Sequence, residues 1–129
     1  VGDGGVQGGG GNVERRSKMD TKIVCLCGST KFYEAFQRAS LRETLAGNIV
    51  LSIGCSMKSD AEHFAHLNFE EASKTKRQLD WLHFEKIKMA DEVLILDVEG
   101  YIGLSTCDEL WCARAWDKKV RFLSQEEEV

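Results

Sequence analysis

The sequence predicts an α/β protein, a Rossmann-like (flavodoxin-like) three-layer sandwich with a 4–5-stranded parallel sheet. Three observations predict it. Short apolar runs recur along the chain: "KIVCLC" (22–27), "NIVLSIG" (48–54), "DEVLILD" (91–97) and "KKVRFLS" (118–124). Segments with helical spacing separate them, giving the order β-α-β-α-β-α-β. The apolar stretches are continuous rather than alternating, as in strands covered on both faces.

The elements follow in order. Residues 22–27 end at Gly28, a strand stop. Residues 29–46, "STKFYEAFQRASLRETLA", put Phe32, Ala35, Phe36 and Ala39 on one stripe, with Ser29 or Thr30 as N-cap and Gly47 as C-cap. The second strand spans 48–54. Residues 55–73 show no clean period and read as a long loop or a short helical lid. In 74–90, Leu79, Leu82, Ile87 and Met89 stand near helical spacing, so a helix is expected there. The third strand spans 91–97, a third helix 105–117, and a fourth strand 118–124.

These elements make one domain over 21–124. Residues 1–20 hold seven of the twelve glycines and no aromatic residue, too little apolar surface to offset the entropy of ordering. They are expected to form a disordered tail. Residues 125–129 form an acidic tail in which adjacent like charges favour solvation.

Composition narrows the function classes. Hydrophobic residues make up 43% and charged residues 29% of 129 positions, with no run near the ~20 apolar residues of a membrane span. The net charge of −4, with scattered basic residues, leaves no electrostatic footprint for duplex nucleic acid. A small nucleotide remains open as a partner. Five cysteines without CxxC spacing are expected to be reduced and mostly buried, in a cytoplasmic protein. Cys25 and Cys27, two apart on a strand, share one face.

In such sheets ligands bind beyond the carboxyl ends of the strands. Two turns fall on that rim. "CLCGSTKFY" (25–33) offers backbone N–H groups at a helix start, and Gly28 permits close approach. "LDVEGYIGLSTCDEL" (96–110) carries Asp97 at a strand end, Gly100 and Gly103 in the loop, then Ser105, Thr106, Asp108 and Glu109. Thr106 and Glu109 fit the capping box, and acidic residues in a first turn are favoured by the helix dipole, by about 0.3–1 kcal/mol each. On spacing alone the structural role comes first.

From Lys22 to Ser124 the chain resembles the nucleoside 2-deoxyribosyltransferase-like family. The resemblance rests on "CLCGST", on "KIKMADEVLILD", and on "GYIGLSTCDELWCARAWDKKV", where a Gly/Ser-Thr turn precedes a glutamate by three residues. It implies cleavage of the N-glycosidic bond of a nucleoside or nucleoside 5′-monophosphate, with no cofactor. Glu109 would be the nucleophile and Asp97 the strand-end aspartate that holds sugar or base. Gly28, Ser29 and Thr30 match the first-loop ligand turn, and Ser105 and Thr106 the hydroxyl pair that touches sugar or phosphate. Gly100 and Gly103 keep the loop open to the ligand. A carboxylate can trap the oxocarbenium-like sugar as an ester while Asp97 or Asp108 protonates the leaving base. The family also implies a homodimer or higher oligomer, with Trp111 and Trp116 as a contact face.

Two departures stand out. The transferases carry an aspartate six residues before the glutamate, where this chain has Gly103. The fifth strand of larger members is missing, which points to a shorter, hydrolytic relative. The alternative function is a non-catalytic nucleotide-binding module in which Glu109 only caps a helix. His63, His66 and His83 lack ligand-spaced partners in the sequence, so they are expected to be surface or packing residues, with no metal site. Trp81, Trp111 and Trp116 are expected in the core or at subunit contacts.

Overall fold

A computed structural model describes residues 21–54, 62 and 64–126. Strands β1 (Ile23–Cys27), β2 (Ile49–Leu51), β3 (Glu92–Ile95) and β4 (Lys119–Phe122) form one sheet in the order β2-β1-β3-β4. Every pairing is parallel, with Cys25 opposite Leu51 and Val93, and Ile95 opposite Phe122. Helices α1 (Tyr33–Leu45), α2 (Phe69–Met89) and α3 (Leu104–Ala115) connect the strands. The expected α/β architecture with a parallel sheet is present. Among the described residues, no helix is long and apolar enough to cross a membrane.

Alternation along the strands sorts the core into two faces. Val24 and Leu26 of β1, with Leu94 and Leu96, pack on Phe36 and Ala39 of α1. Cys25, Cys27, Val93 and Ile95 pack on the opposite face against Ile87 of α2 and Ala113 of α3. The two cysteines therefore share a face, as their spacing predicts. At the amino end of the α1 face, Arg121 bonds Glu43, Glu92 and Glu126 at 2.8–3.3 Å. Charge thus covers the part of β3 and β4 that α1 does not reach. Glu126 also bonds Arg42 at 2.9 Å, so the first residues of the expected acidic tail are held to the domain. Residues 1–20 and 127–129 lie outside the described residues.

Helix ends explain several boundary shifts. Gly47, at φ 91°, follows the C-cap Ala46 of α1, and bonds from Gly47 to Thr44 and from Asn48 to Glu43 close the helix. The same wrap ends α3, but there Asp117 takes the left-handed position at φ 59°. The N-cap of α1 is Phe32, not Ser29 or Thr30; the Ser29 hydroxyl instead accepts from the Lys31 N–H at 3.3 Å. Helix α2 starts five residues before the expected 74. Asn68 caps it, accepting from the Glu71 N–H at 2.7 Å while Glu71 accepts from the Asn68 N–H at 3.2 Å.

Candidate functional site

A cavity of about 930 Å³ opens at the carboxyl ends of β1, β2 and β3, at the upper end of the roughly 300–1,000 Å³ typical of small-molecule sites. Gly28, Ser29 and Thr30 form one edge, after β1. Gly103, Ser105, Thr106 and Glu109, at the start of α3, form another. The long helix α2 lies across the third side and presents Thr75, Lys76, Leu79, Asp80, Leu82, His83 and Lys86. Leu79 and Leu82 face this cavity and stay 51% and 44% exposed, while His83 and Ile87 make the buried stripe.

Two contacts tie the rim together. The Lys31 ammonium sits 3.9 Å from the Tyr101 ring centroid, and Phe32 meets the same ring edge-on at 5.8 Å. The loop after β1 is thereby fastened to the loop after β3. Lys86 donates to the Ser52 carbonyl at 2.6 Å and anchors α2 to the end of β2.

Glu109 is buried on the cavity wall, 8% exposed. It is not in a capping box. Gly103 is the N-cap of α3, so Glu109 lies in the second turn and the first turn holds no acidic residue. Loss of solvent raises its pKa to about 7, against the pull of His83, whose Nε2 lies 3.7 Å from Glu109 Oε1. Such a carboxylate is poorly solvated and open to a ligand at once.

Asp97 and Asp108 do not join it. Asp97 is buried, but its two oxygens accept from the Ser124 backbone N–H at 2.9 Å and the Ser124 hydroxyl at 2.6 Å, and it does not line the cavity. Both of its oxygens are thus engaged by Ser124 rather than turned to the cavity. Asp108 is exposed on the outer face of α3 and also misses the cavity. Gly100 is likewise off the wall; it closes a 3-10 turn (Val98–Gly100) at φ 80°, where glycine relieves strain. Gly28 does line the cavity, yet a Cβ there would meet Leu96 Cβ at 3.1 Å. Its small size serves the packing of the sheet.

Sequence reasoning missed the carboxylate of Asp80, which lines the cavity from α2 and is near enough for its charge to raise the Glu109 pKa further. It also missed a cluster beneath Glu109. His83 is 5% exposed, and its Nε2 lies 3.3 Å from Cys27 Sγ and 4.0 Å from Cys25 Sγ. The expectation of a surface or packing histidine without ligand-type neighbours is corrected: 56 residues of sequence separate His83 from Cys27, and the fold removes that distance. The two thiols interact directly. The contact with Cys27 lowers the Cys25 pKa to about 6, against burial, and the same contact raises that of Cys27. Burial pulls His83 down, but the Cys25 sulfur and the Glu109 carboxylate more than offset this, and its pKa rises.

The arrangement is not a Cys-His-Glu triad. A triad histidine engages its nucleophile and its orienting acid through different ring nitrogens. Here Nε2 meets both sulfurs and the carboxylate, and Nδ1 is a buried atom without a hydrogen-bond partner among the described residues.

Of the two places expected for the tryptophans, the core is excluded. Trp81 and Trp111 are 63% and 72% exposed and lie outside the core, and Trp116 is 37% exposed with the Lys88 ammonium 5.4 Å from its ring centroid. His66 lines the cavity, whereas His63 lies outside the described residues. No protein-family model matches the chain, and no curated protein matches it at a significant level.

Proposed function

We propose that the protein cleaves the N-glycosidic bond of a nucleoside or nucleoside 5′-monophosphate, with Glu109 as nucleophile. The observation that carries this reading is the burial of Glu109 on the wall of a cavity roomy enough for a nucleoside, whose lining also includes Gly28–Thr30. The resemblance of "GYIGLSTCDEL" to the nucleoside 2-deoxyribosyltransferase-like pattern adds the reaction type.

The sugar lies over Glu109, with Ser29, Thr30 and Ser105 as donors to its hydroxyls or phosphate. The Glu109 carboxylate attacks C1′ as the C–N bond breaks, giving a glycosyl ester. The departing base takes a proton from Asp80, the second carboxyl group on the cavity wall. Water then attacks C1′, returns a proton to Asp80 and releases the sugar and the Glu109 carboxylate. Asp97 is held by Ser124 and Asp108 faces outward, which leaves Asp80 for the acid role; its half-exposed pair with Lys76, at 3.7 Å, holds it only weakly. A second base in place of water makes the same enzyme a transferase. The reading includes self-association through α3, whose Trp111 and Leu104 are exposed.

The test is incubation with ribo- and deoxyribonucleosides and their 5′-monophosphates, with free base measured by chromatography. Base release that falls at least ~10²-fold in Glu109→Gln and in Asp80→Asn supports the reading. Tight binding of one compound without release makes the protein a nucleotide-binding module instead.

A further inference from the structure

The cysteine–histidine cluster has no part in glycosidic cleavage, yet it is the densest group of metal-ligating atoms among the described residues. The Sγ atoms of Cys25 and Cys27 and one ring nitrogen of His83 all lie within 4.8 Å of one another. Glu109 Oε1 stands 3.7 Å from the same nitrogen. We propose that Cys25, Cys27, His83 and Glu109 bind one Zn²⁺ ion through two sulfurs, Nε2 and a carboxylate oxygen.

The spacing fits the ion. With Zn–S near 2.3 Å and Zn–N and Zn–O near 2.0–2.1 Å, the edges of a tetrahedron are about 3.3–3.8 Å. The observed edges from Nε2 are 3.3 Å to Cys27, 4.0 Å to Cys25 and 3.7 Å to Glu109. The edges from Nε2 need shifts of a few tenths of an ångström, whereas Glu109, which falls outside the group of atoms lying within 4.8 Å of one another, must swing inward to complete the shell. The convergence on Nε2 alone, which rules out a triad, is what ligation by one ion requires.

The backbone explains how the cluster forms. Strand alternation turns both sulfurs to one face, and α2 crosses that face with His83 one turn before Ile87, which is fully buried against the sheet. Two thiolates and an imidazole select a borderline-soft ion, and the carboxylate oxygen favours Zn²⁺ over Cu⁺. Binding displaces the remaining thiol protons to solvent. The ion reaches the cluster through the cavity, whose wall includes His83 and Glu109.

A carboxylate that ligates zinc cannot attack a sugar. Zinc loading therefore silences turnover, a consequence that rests on the glycosidase reading; the binding itself does not.

The test is titration of the reduced, metal-free full chain with Co²⁺, then displacement by Zn²⁺. One equivalent of Co²⁺ should give the visible bands of a tetrahedral site and thiolate-to-cobalt charge transfer. Cys25→Ser and Cys27→Ser should each abolish the charge-transfer pattern of a two-thiolate site, and His83→Gln should weaken binding at least ~10-fold. X-ray absorption of the zinc-loaded wild-type chain, which needs no variant to fold, should show two sulfur and two lighter neighbours. No bands, bands unchanged in both serine variants, or a zinc shell without sulfur overturns the site. Base release is assayed in parallel on metal-free and zinc-loaded protein. Release that zinc abolishes supports both readings; its absence from the metal-free chain overturns the glycosidase while leaving the spectra to decide the site.

Discussion

Asp97 is bound to Ser124 through both carboxylate oxygens, at 2.9 Å to the backbone nitrogen and 2.6 Å to the hydroxyl, and this locks the end of β3 to the 3-10 turn (Leu123–Gln125) that follows β4. A strand-end aspartate at the ligand rim is thereby turned into a clamp. Asp97→Ala takes the charged acceptor from the N–H and hydroxyl of Ser124; Ser124 is exposed, so water replaces part of what is lost and about 0.5–1.5 kcal/mol per bond remains. We expect a clear drop in melting temperature with ligand affinity kept in the protein that remains folded. An unchanged melting temperature with lost turnover would restore Asp97 to the chemistry.

Glu109 should behave in the opposite way. Its carboxylate is buried, and among the described residues the His83 and Cys27 contacts offset its lost hydration. Glu109→Gln keeps the shape and removes the buried charge, so the melting temperature should be no lower than that of the wild type while base release collapses. A stability loss above about 2 kcal/mol in denaturant unfolding would instead mark Glu109 as a structural anchor.

The contrast shows what sequence could and could not reveal. The sheet was readable because "IVCLC" and "EVLI" are buried runs whose character does not depend on distant partners. Glu109 was readable as a rim residue because a strand, a glycine loop and a helix start are local signals. Asp97 was misread because its partner lies 27 residues on. The ligand-type neighbours of His83 are hidden in sequence because its sulfur partners lie 56 and 58 residues away, and the start of α2 at Phe69 is hidden as well. The signal for that start, Asn68-x-x-Glu71, stands in the sequence as a capping box. It is masked because the residues before 74 show no apolar period, and none of residues 69–73 is buried.

Gly28 gives a packing test of the rim. A Cβ at this position would come within 3.1 Å of Leu96 Cβ and 3.3 Å of its carbonyl oxygen. Gly28→Ala should cost about 1–3 kcal/mol through forced shifts in a packed core. Chemical denaturation checks this, and a neutral result would show that β3 yields freely at Leu96.

The two helix ends closed by a left-handed residue predict opposite effects of similar substitutions. Gly47 holds φ 91° without a Cβ, whereas Asp117 holds φ 59° with one. Gly47→Ala should destabilise by about 1 kcal/mol, and Asp117→Gly should stabilise by about 0.5–1 kcal/mol. Thermal melts of the two variants should move in opposite directions. A fall in both would mean that the Asp117 side chain contributes more than its backbone strain costs.

Acid should act through Glu43. Burial would raise its pKa, but hydrogen bonds from Arg121, Asn48 and Arg42 outweigh that and bring it down to about 2, while an unfolded glutamate titrates near 4.3. The folded value lies below the unfolded one, so below about pH 5 the unfolded chain takes up the proton first and stability falls with pH. The contribution is complete above about pH 5 and is lost as the pH approaches 2. Glu126, lowered by the same Arg121 against its own burial, adds to the slope in the same direction. We expect the wild-type melting temperature to drop steeply between pH 5 and pH 2. Glu43→Gln should be less stable at neutral pH and should show a shallower drop, because Arg121 keeps Glu92 and Glu126 but loses its closest partner, at 2.8 Å. Parallel curves for the two proteins would place the acid sensitivity outside this network.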